Sequence, residues 1–276
     1  FVAEDGNKGL AMVSEHAATH GVDEVGDSGD VPALVVRKAH QRAPVAQDHR
    51  AIDHRAQFEE MCARVGTSPE HVPYFKRLAL SAAMMTADGR ADGGILLDGR
   101  FGQDALDRAT GKGLWIGRPV ELPGSRPLRF EGGADLGCTL REWPAEHCVK
   151  CLVFCHPDDP EELCAEQERQ VLILADACRR TGHELLLEII PSRSTAPVDA
   201  RTLARAMRRF YALGVHPDWW KLPHPGSDAA WTAIAAAMAR NENLTFLLQH
   251  FDKPQILLFS RGRRALLYPG QRPPFL

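Results

Sequence analysis

Short apolar runs alternate with longer segments of helical periodicity through the middle of the chain. The three clearest runs are Val149–Phe154, Glu184–Ile190 and Asp218–Leu222. Each is followed by a segment with apolar residues at helical spacing, and these segments lie at 160–180, 199–213 and 228–240. Strands that alternate with helices of this length indicate βα units and a parallel sheet.

The alternation continues toward the amino terminus. Apolar runs at 93–98 and 113–117 predict two more strands, and a helix is expected near 103–109 between them. Two further helices are predicted at 55–65 and 68–87. The second has Ser68 as its cap and a proline in its first turn, and its apolar positions predict a buried face. The residues expected on that face are Leu78, Leu80, Met84 and Met85.

This pattern favours an α/β fold of the (β/α)8, TIM-type class over a Rossmann sheet, because at least five strands are present without a glycine-rich nucleotide fingerprint. The chain ends depart from it. Residues 1–50 are polar and aperiodic, and only Val31–Val36 suggests a strand there. The runs at 244–249 and 255–259 are too close for a crossover helix, so they are not expected to be parallel neighbours.

The sequence therefore predicts three parts. An irregular amino-terminal segment covers 1–50, a barrel domain covers 51–260, and a proline-rich tail covers 261–276. The barrel is expected to be incomplete or irregular at its first and last strands.

Charge and composition narrow the function classes. A net charge of −3 gives no basic field for nucleic acid or an anionic membrane. No apolar stretch has the length of a membrane span, and the first residues lack the apolar core of a signal peptide. Seven cysteines, an odd number, favour reduced thiols and a cytoplasmic location. A metal site at Cys148 and Cys151 is disfavoured, because these side chains would lie on opposite faces of one strand.

Three ionisable residues interrupt the apolar runs, namely Lys150, Glu188 and Lys221. A charge in a buried strand is costly unless it is paired. One interpretation is a structural ion pair. The other, favoured because the residues lie on three successive strands, is a site in which they shift each other's pKa. In a barrel, such residues and Asp98 are expected to converge at the carboxyl ends of the strands.

Six motifs occur in one order along the chain, at 53–55, 96–105, 115–126, 149–159, 185–191 and 211–222. Together they resemble the aldolase-type barrel domain that is fused to the sugar kinase of bacterial inositol catabolism. That family is associated with cleavage of 2-deoxy-5-keto-gluconate 6-phosphate (5-dehydro-2-deoxy-gluconate 6-phosphate) to dihydroxyacetone phosphate and malonate semialdehyde. A more distant similarity is to tagatose 1,6-bisphosphate aldolase, a class I enzyme.

The resemblance implies a Schiff-base carbon–carbon lyase (an aldehyde-lyase) of carbohydrate metabolism, without metal or cofactor. It implies that Lys221 forms the Schiff base, that Glu188 transfers protons, that Lys150 is a second lysine beside it, and that Asp53 ends the first strand. Burial beside Trp219 and Trp220, with Lys150 nearby, is expected to lower the pKa of Lys221, since only a neutral amine attacks a ketone.

Five further residues are candidates for binding substrate. Arg118 and Arg126 lie in a proline-rich loop that could hold a carboxylate or phosphate, although an ordinary surface loop is the alternative. The other candidates are Arg55, Asp98 and Arg100, which belong to the same motifs. The implied partners are a phosphorylated sugar acid and a fused or associated sugar kinase, with no nucleic acid or membrane, and an oligomer is left open.

Some positions differ from the family pattern. The segment before Asp53 is polar, Pro223 replaces an acidic residue, and Gly262-Arg263, which would grip phosphate, has an altered context. Two functions therefore remain as alternatives to an aldolase. One is a catalytically impaired barrel that acts as a binding or scaffold protein, and the other is a metal-dependent lyase with His and Asp ligands.

Overall fold

The structure is a computed structural model of the chain, described for residues 48–87, 93–133, 135–191, 196–223, 225–238, 245–249 and 256–259. All of these residues belong to one compact unit. The expected strand at Val31–Val36, most of the segment 1–50 and the tail 261–276 lie outside them. Within the described ranges, no helix combines the length and apolar character that crossing a membrane requires.

Eight strands and seven α-helices follow one another in the described residues. The strands are β1 (Asp48–Ala51), β2 (Gly93–Leu96), β3 (Trp115–Pro119), β4 (His147–Val153), β5 (Leu185–Ile189), β6 (Trp219–Pro223), β7 (Thr245–Gln249) and β8 (Ile256–Phe259). The helices are α1 (Ala56–Val65), α2 (Val72–Ala87), α3 (Gly99–Ala109), α4 (Leu136–Arg141), α5 (Glu161–Thr181), α6 (Thr202–Ala212) and α7 (Asp228–Met238), with a 3-10 turn at Pro69–His71 before α2.

The strands form one sheet in chain order, from β1 to β8. Neighbours from β1 to β7 pair in parallel, which confirms the α/β class and the parallel sheet. β8 pairs antiparallel with β7, as the short connection between them requires. β1 begins at Asp48, inside the segment 1–50 that was expected to be irregular. The sequence of β1 is polar, so its hydrophobic pattern did not predict a strand.

Parallel strands of the sheet form a curled half-barrel of five strands. The curl is visible in a single contact, between Lys150 of β4 and Asp53, which follows β1. In a flat sheet these strands would be about 14 Å apart, at three strand spacings. A lysine and an aspartate side chain cannot span that distance together, so the sheet must bend to bring β1 toward β4.

Side chains of alternate residues separate the two faces of the sheet. On the helix side, a core cluster joins Ile95, Leu97 and Ile116 to Leu80 of α2 and Leu106 of α3. On the inner side, Trp115, Cys148, Leu186 and Trp219 form a second apolar cluster, which we call the tryptophan layer. The residues two positions later on β4, β5 and β6 lie on the same inner face, closer to the carboxyl ends of the strands.

The buried face of α2 differs from the expected one. Leu80 is buried, but Leu78, Met84 and Met85 are 51%, 38% and 80% exposed. The buried stripe of the helix consists instead of Val72, Lys76, Leu80, Ala83 and Ala87. The buried face therefore consists of Val72, Leu80, two alanines and one lysine, and three of the four residues expected on it lie on other sides of the helix.

A second difference concerns Asp98, which was expected to end a strand. β2 ends at Leu96, and Asp98 is the N-cap of α3, where its Oδ2 accepts a hydrogen bond of 2.7 Å from the backbone N–H of Phe101. The helix therefore begins four residues earlier than expected. An Asp at this position satisfies a free N–H of the first turn.

Folding stability should depend on the protonation of His147, at the amino end of β4. His147 is buried, its Nε2 lies 2.9 Å from Thr110 Oγ1, and burial, aided by the charge of Arg118, lowers its pKa to about 4. The unfolded chain therefore takes up this proton first as the pH falls. We expect the free energy of unfolding to decrease by up to about 3 kcal/mol between pH 7 and pH 4 from this residue.

Denaturant unfolding at a series of pH values checks this expectation. His147→Gln should flatten the acid-side decline, whereas His71→Gln, on an exposed turn, should leave it as in the wild type. An equally steep decline in His147→Gln would contradict the assignment.

Candidate active site

Glu188 lies between two buried lysines on the inner face of the sheet. Glu188 and Lys221 are directly opposed across β5 and β6, and Lys221 Nζ is 3.1 Å from Glu188 Oε1. Lys150 Nζ approaches the other oxygen, Oε2, at 3.2 Å. None of the three side chains is more than 7% exposed. The structure thus brings together the three charged residues of the apolar runs, one layer beyond the tryptophan layer.

Two more carboxylates surround Lys150. Asp53 Oδ2 lies 3.1 Å from its Nζ, and Glu121 Oε1 lies 3.3 Å from it. Glu121 was not among the residues expected at the site. It follows β3 in the same phase as Gly117 and Pro119, so the alternation of the strand, continued two residues beyond its end, was the signal for it.

Arg55 extends the network to a further carboxylate. One of its guanidinium nitrogens is 2.6 Å from Glu121 Oε1, and the other is 3.0 Å from Glu131 Oε2. Glu121 Oε2 also accepts a hydrogen bond of 3.1 Å from the backbone N–H of Leu152. The result is a chain of alternating charge, which we call the inner charge network: Lys221, Glu188, Lys150, then Asp53 and Glu121, then Arg55 and Glu131.

The protonation states in this network follow from burial and charge. Burial alone would lower the pKa of Lys150, but the carboxylates of Asp53, Glu121 and Glu188 raise it well above its usual range. Burial would likewise raise the pKa of Asp53, but the charges of Lys150 and Lys221 hold it far below its usual range. Lys150 is therefore an ammonium and Asp53 a carboxylate over the working pH range.

His54 lies at the exposed edge of this network. Its side chain is exposed, and its ring makes an edge-on contact with Phe58. Burial of part of the ring, together with the charges of Lys221 and Lys150, lowers its pKa, although Asp53 and Glu188 act in the opposite direction. His54 is thus a neutral imidazole at pH 7 within the field of the buried charges, a role that the sequence did not suggest.

Only one of the two tryptophans expected beside Lys221 shares its face. Trp219 belongs to the tryptophan layer and contacts Trp115, with ring centroids 5.2 Å apart. Trp220 points to the helices, where its Nε1 donates a hydrogen bond of 2.7 Å to Tyr211 Oη. Adjacent residues of a strand face opposite sides, so Trp220 cannot line the same space as Lys221.

Arg118 and Arg126 have partners away from the inner charge network. Arg118 faces the helices, where its guanidinium lies 4.1 Å from the ring centroid of Trp143 and donates to Gln103 Oε1. Its position in β3 is out of phase with Gly117 and Pro119. Arg126 pairs with Asp159, on the loop after β4. This ion pair connects the proline-rich loop to the loop after β4.

The remaining two candidates are also engaged elsewhere. Asp98 pairs with Lys76 and caps α3, so the expected convergence with Lys150 is not found at contact distance. Arg100 is exposed and pairs with Glu59 of α1 at 2.8 Å. Of the nine expected site residues, the structure therefore brings Asp53, Arg55, Lys150, Glu188 and Lys221 together.

The described side chains also bear on metal binding. Cys148 lies in the tryptophan layer, and Cys151, three residues later on the same strand, faces the helices. Over the ranges that the structure describes, no three His, Cys, Asp or Glu side chains are grouped so that they could hold a metal ion.

Comparison with known proteins gives a family but no activity. No curated protein matches the chain. Residues 34–248, which include β1 to β6, all but the last residue of β7 and every member of the inner charge network, match a family described as an uncharacterized protein conserved in bacteria. This match covers more than half of the chain. The chain therefore belongs to the bacterial family DUF2090.

Proposed function

We propose that this protein is a class I, Schiff-base aldolase in which Lys221 is the nucleophile. The observation that supports the proposal is the position of Glu188, whose two oxygens lie 3.1 Å from Lys221 Nζ and 3.2 Å from Lys150 Nζ, with all three side chains buried. A carboxylate between an attacking amine and a fixed ammonium can deliver and remove protons at one carbon centre.

Lys221 is the better nucleophile of the two lysines because of its surroundings. Three carboxylates lie within 3.3 Å of Lys150 Nζ, and they keep its pKa well above the usual range. An amine attacks a ketone only in its neutral form. Among the described residues, Lys221 contacts a single carboxylate, that of Glu188, whereas Lys150 contacts three.

The chemistry then proceeds in balanced steps. Lys221 Nζ bonds to the ketone carbon, Glu188 takes the protons that this nitrogen gives up and passes them to the oxygen, and the oxygen leaves as water as the iminium forms. The iminium accepts the electron pair of the bond between the α and β carbons, while Glu188, which is a carboxylate again once water has left, removes the proton of the β-hydroxyl group. The β carbon becomes the carbon of the aldehyde. Protonation of the resulting enamine and hydrolysis by water return the amine. The Lys150 ammonium stabilises negative charge that develops nearby.

The substrate class comes from the resemblance. We propose a phosphorylated keto-sugar acid, 5-dehydro-2-deoxy-gluconate 6-phosphate, and products of dihydroxyacetone phosphate and malonate semialdehyde. The proposal includes a cytoplasmic enzyme of inositol catabolism with a fused or associated sugar kinase. It also includes a (β/α)8-type barrel, supported by the parallel order from β1 to β7 and by the curl of the sheet.

A second candidate function is a binding or scaffold protein with little turnover. The observation that favours it is the antiparallel pairing of β7 and β8. In TIM barrels, substrate phosphate is commonly held by loops after the last two parallel strands. Gly262-Arg263, the expected phosphate grip, lies outside the described residues.

Trapping with borohydride separates these two functions. Dihydroxyacetone phosphate followed by borohydride should give a covalent adduct that peptide mapping places on Lys221. Lys221→Arg should abolish the adduct and leave the fold intact, because arginine keeps the charge but does not deprotonate usefully. The matched control is Lys112→Arg, at an exposed lysine, which should give adduct at the wild-type rate. An adduct that persists in Lys221→Arg, or no adduct in the wild type, would refute the proposed nucleophile.

Replacement of Glu188 tests proton transfer separately. Glu188→Gln should still give some borohydride-trapped adduct but slow product release by about 10²-fold or more, because the amide cannot carry a proton between steps. Release of dihydroxyacetone phosphate, followed with a coupled enzyme, measures this rate. Glu166→Gln, on the outer surface of α5, serves as the control and should match the wild type. Wild-type turnover in Glu188→Gln would show that another group moves the proton.

A further inference from the structure

Lys76 is a fully buried lysine outside the inner charge network. It lies on the buried stripe of α2 and is 0% exposed. Its Nζ donates to three acceptors, which are Ile52 O at 2.9 Å, His54 O at 2.9 Å and Asp98 Oδ1. An ammonium has three N–H groups, so its donors are all used. An apolar residue here would avoid the cost of burying a charge, which suggests a role beyond packing.

The two carbonyl groups lie on either side of Asp53. The ammonium group of Lys76 therefore holds both the peptide group before Asp53 and the peptide group after His54. From this short segment, Asp53 reaches Lys150 at 3.1 Å and Arg55 reaches Glu121 at 2.6 Å. The segment follows β1, whose edge is joined to the sheet only through β2 in the described residues. The contact with α2 supplies support from the helix side.

Asp98 fixes Lys76 in turn. One carboxylate oxygen pairs with Lys76, and the other caps α3 through Phe101 N. Asp98 follows β2, so the ion pair between Lys76 and Asp98 connects α2 and α3 to the segments that follow β1 and β2. The carboxylate expected to bind substrate is thus a support for the lysine that holds the Asp53 segment.

We infer that Lys76 is a positioning residue, which holds the main chain on both sides of Asp53 and thereby fixes the Asp53 carboxylate against Lys150. Its effect on catalysis rests on the proposed function, whereas its effect on Asp53 does not. Loss of Lys76 should release the segment 52–54 and lengthen the contact between Asp53 and Lys150. The site should then behave as though Asp53 were missing, although Asp53 is still present.

The test uses variants that remove the buried pair without leaving one charge alone. Lys76→Met/Asp98→Asn removes one positive and one negative charge, so the net charge of the protein does not change. Asparagine at position 98 can still cap α3. The matched control is Arg77→Met/Asp104→Asn, which removes an exposed ion pair between the same two helices. A third pair of changes, Lys76→Gln/Asp98→Asn, restores N–H donors to the two carbonyl groups without charge. Circular dichroism and thermal unfolding establish that each variant is folded.

The first readout needs no substrate. Carboxyl carbon NMR, assigned with Asp53→Asn, follows the titration of Asp53 in each folded protein. In Lys76→Met/Asp98→Asn, the pKa of Asp53 should move up toward the ordinary aspartate range, because the contact with Lys150 is lost. In Lys76→Gln/Asp98→Asn, the pKa of Asp53 should return part of the way to the wild-type value. If the methionine variant does not fold, the pKa of Asp53 in this glutamine variant is compared with that of the wild type. A wild-type titration of Asp53 in the folded variants overturns the inference.

The second readout is the rate of borohydride-trapped adduct formation. Both Lys76→Met/Asp98→Asn and Asp53→Asn should slow it, by up to about 10²-fold for a displaced group. The combination of all three changes should be no slower than Asp53→Asn alone, because both act through one carboxylate. Independent, multiplicative losses would show a merely structural role and overturn the inference. Absence of adduct in the wild type would refute the proposed function, and the titration of Asp53 would still decide the role of Lys76.

Discussion

A charge inside the sheet must have a partner, and this constraint organises the site. The inner face of β4, β5 and β6 carries Lys150, Glu188 and Lys221 where a parallel sheet would ordinarily be apolar. Each of these charges is retained because an opposite charge lies close to it. The requirement then spreads outward, since Lys150 needs Asp53 and Glu121, and Glu121 is balanced by Arg55. The curl of the sheet brings these partners within reach.

Much of the fold could be predicted from the sequence because its elements are periodic. The apolar runs and the helical segments that follow them recur with little interruption from β2 to α7, and the short connection before β8 excluded a parallel neighbour. The strands at the ends of the sheet were harder to predict. β1 is polar, and it joins the sheet by parallel pairing with β2. Hydrophobic pattern does not reveal a strand whose residues are polar.

Site residues were predicted correctly where a charged residue interrupted an apolar run. They were missed where the face of the sheet to which a side chain points decided whether it belongs to the site. Lys150, Glu188 and Lys221 were conspicuous in their strands. Arg118 was a reasonable candidate by composition, but its phase in β3 turns it toward the helices. Glu121 has the correct phase but lies beyond the strand, where alternation is not usually extended. Lys76 was overlooked because a lysine within an amphipathic helix is normally assigned to the solvent side.

The ion pair between Lys221 and Glu188 has a consequence for the proposed Schiff-base cycle. An ammonium and an iminium carry the same single positive charge, so Glu188 would face a counter-ion in both of these forms. The nitrogen would be neutral in the free amine, in the carbinolamine and in the enamine, and Glu188 would then lack that counter-ion. In these neutral forms Lys150, held in place by its own carboxylates, would still balance Glu188. The second lysine would thus act as a permanent counter-ion that lets the first lysine lose its charge without leaving an unbalanced carboxylate in the interior.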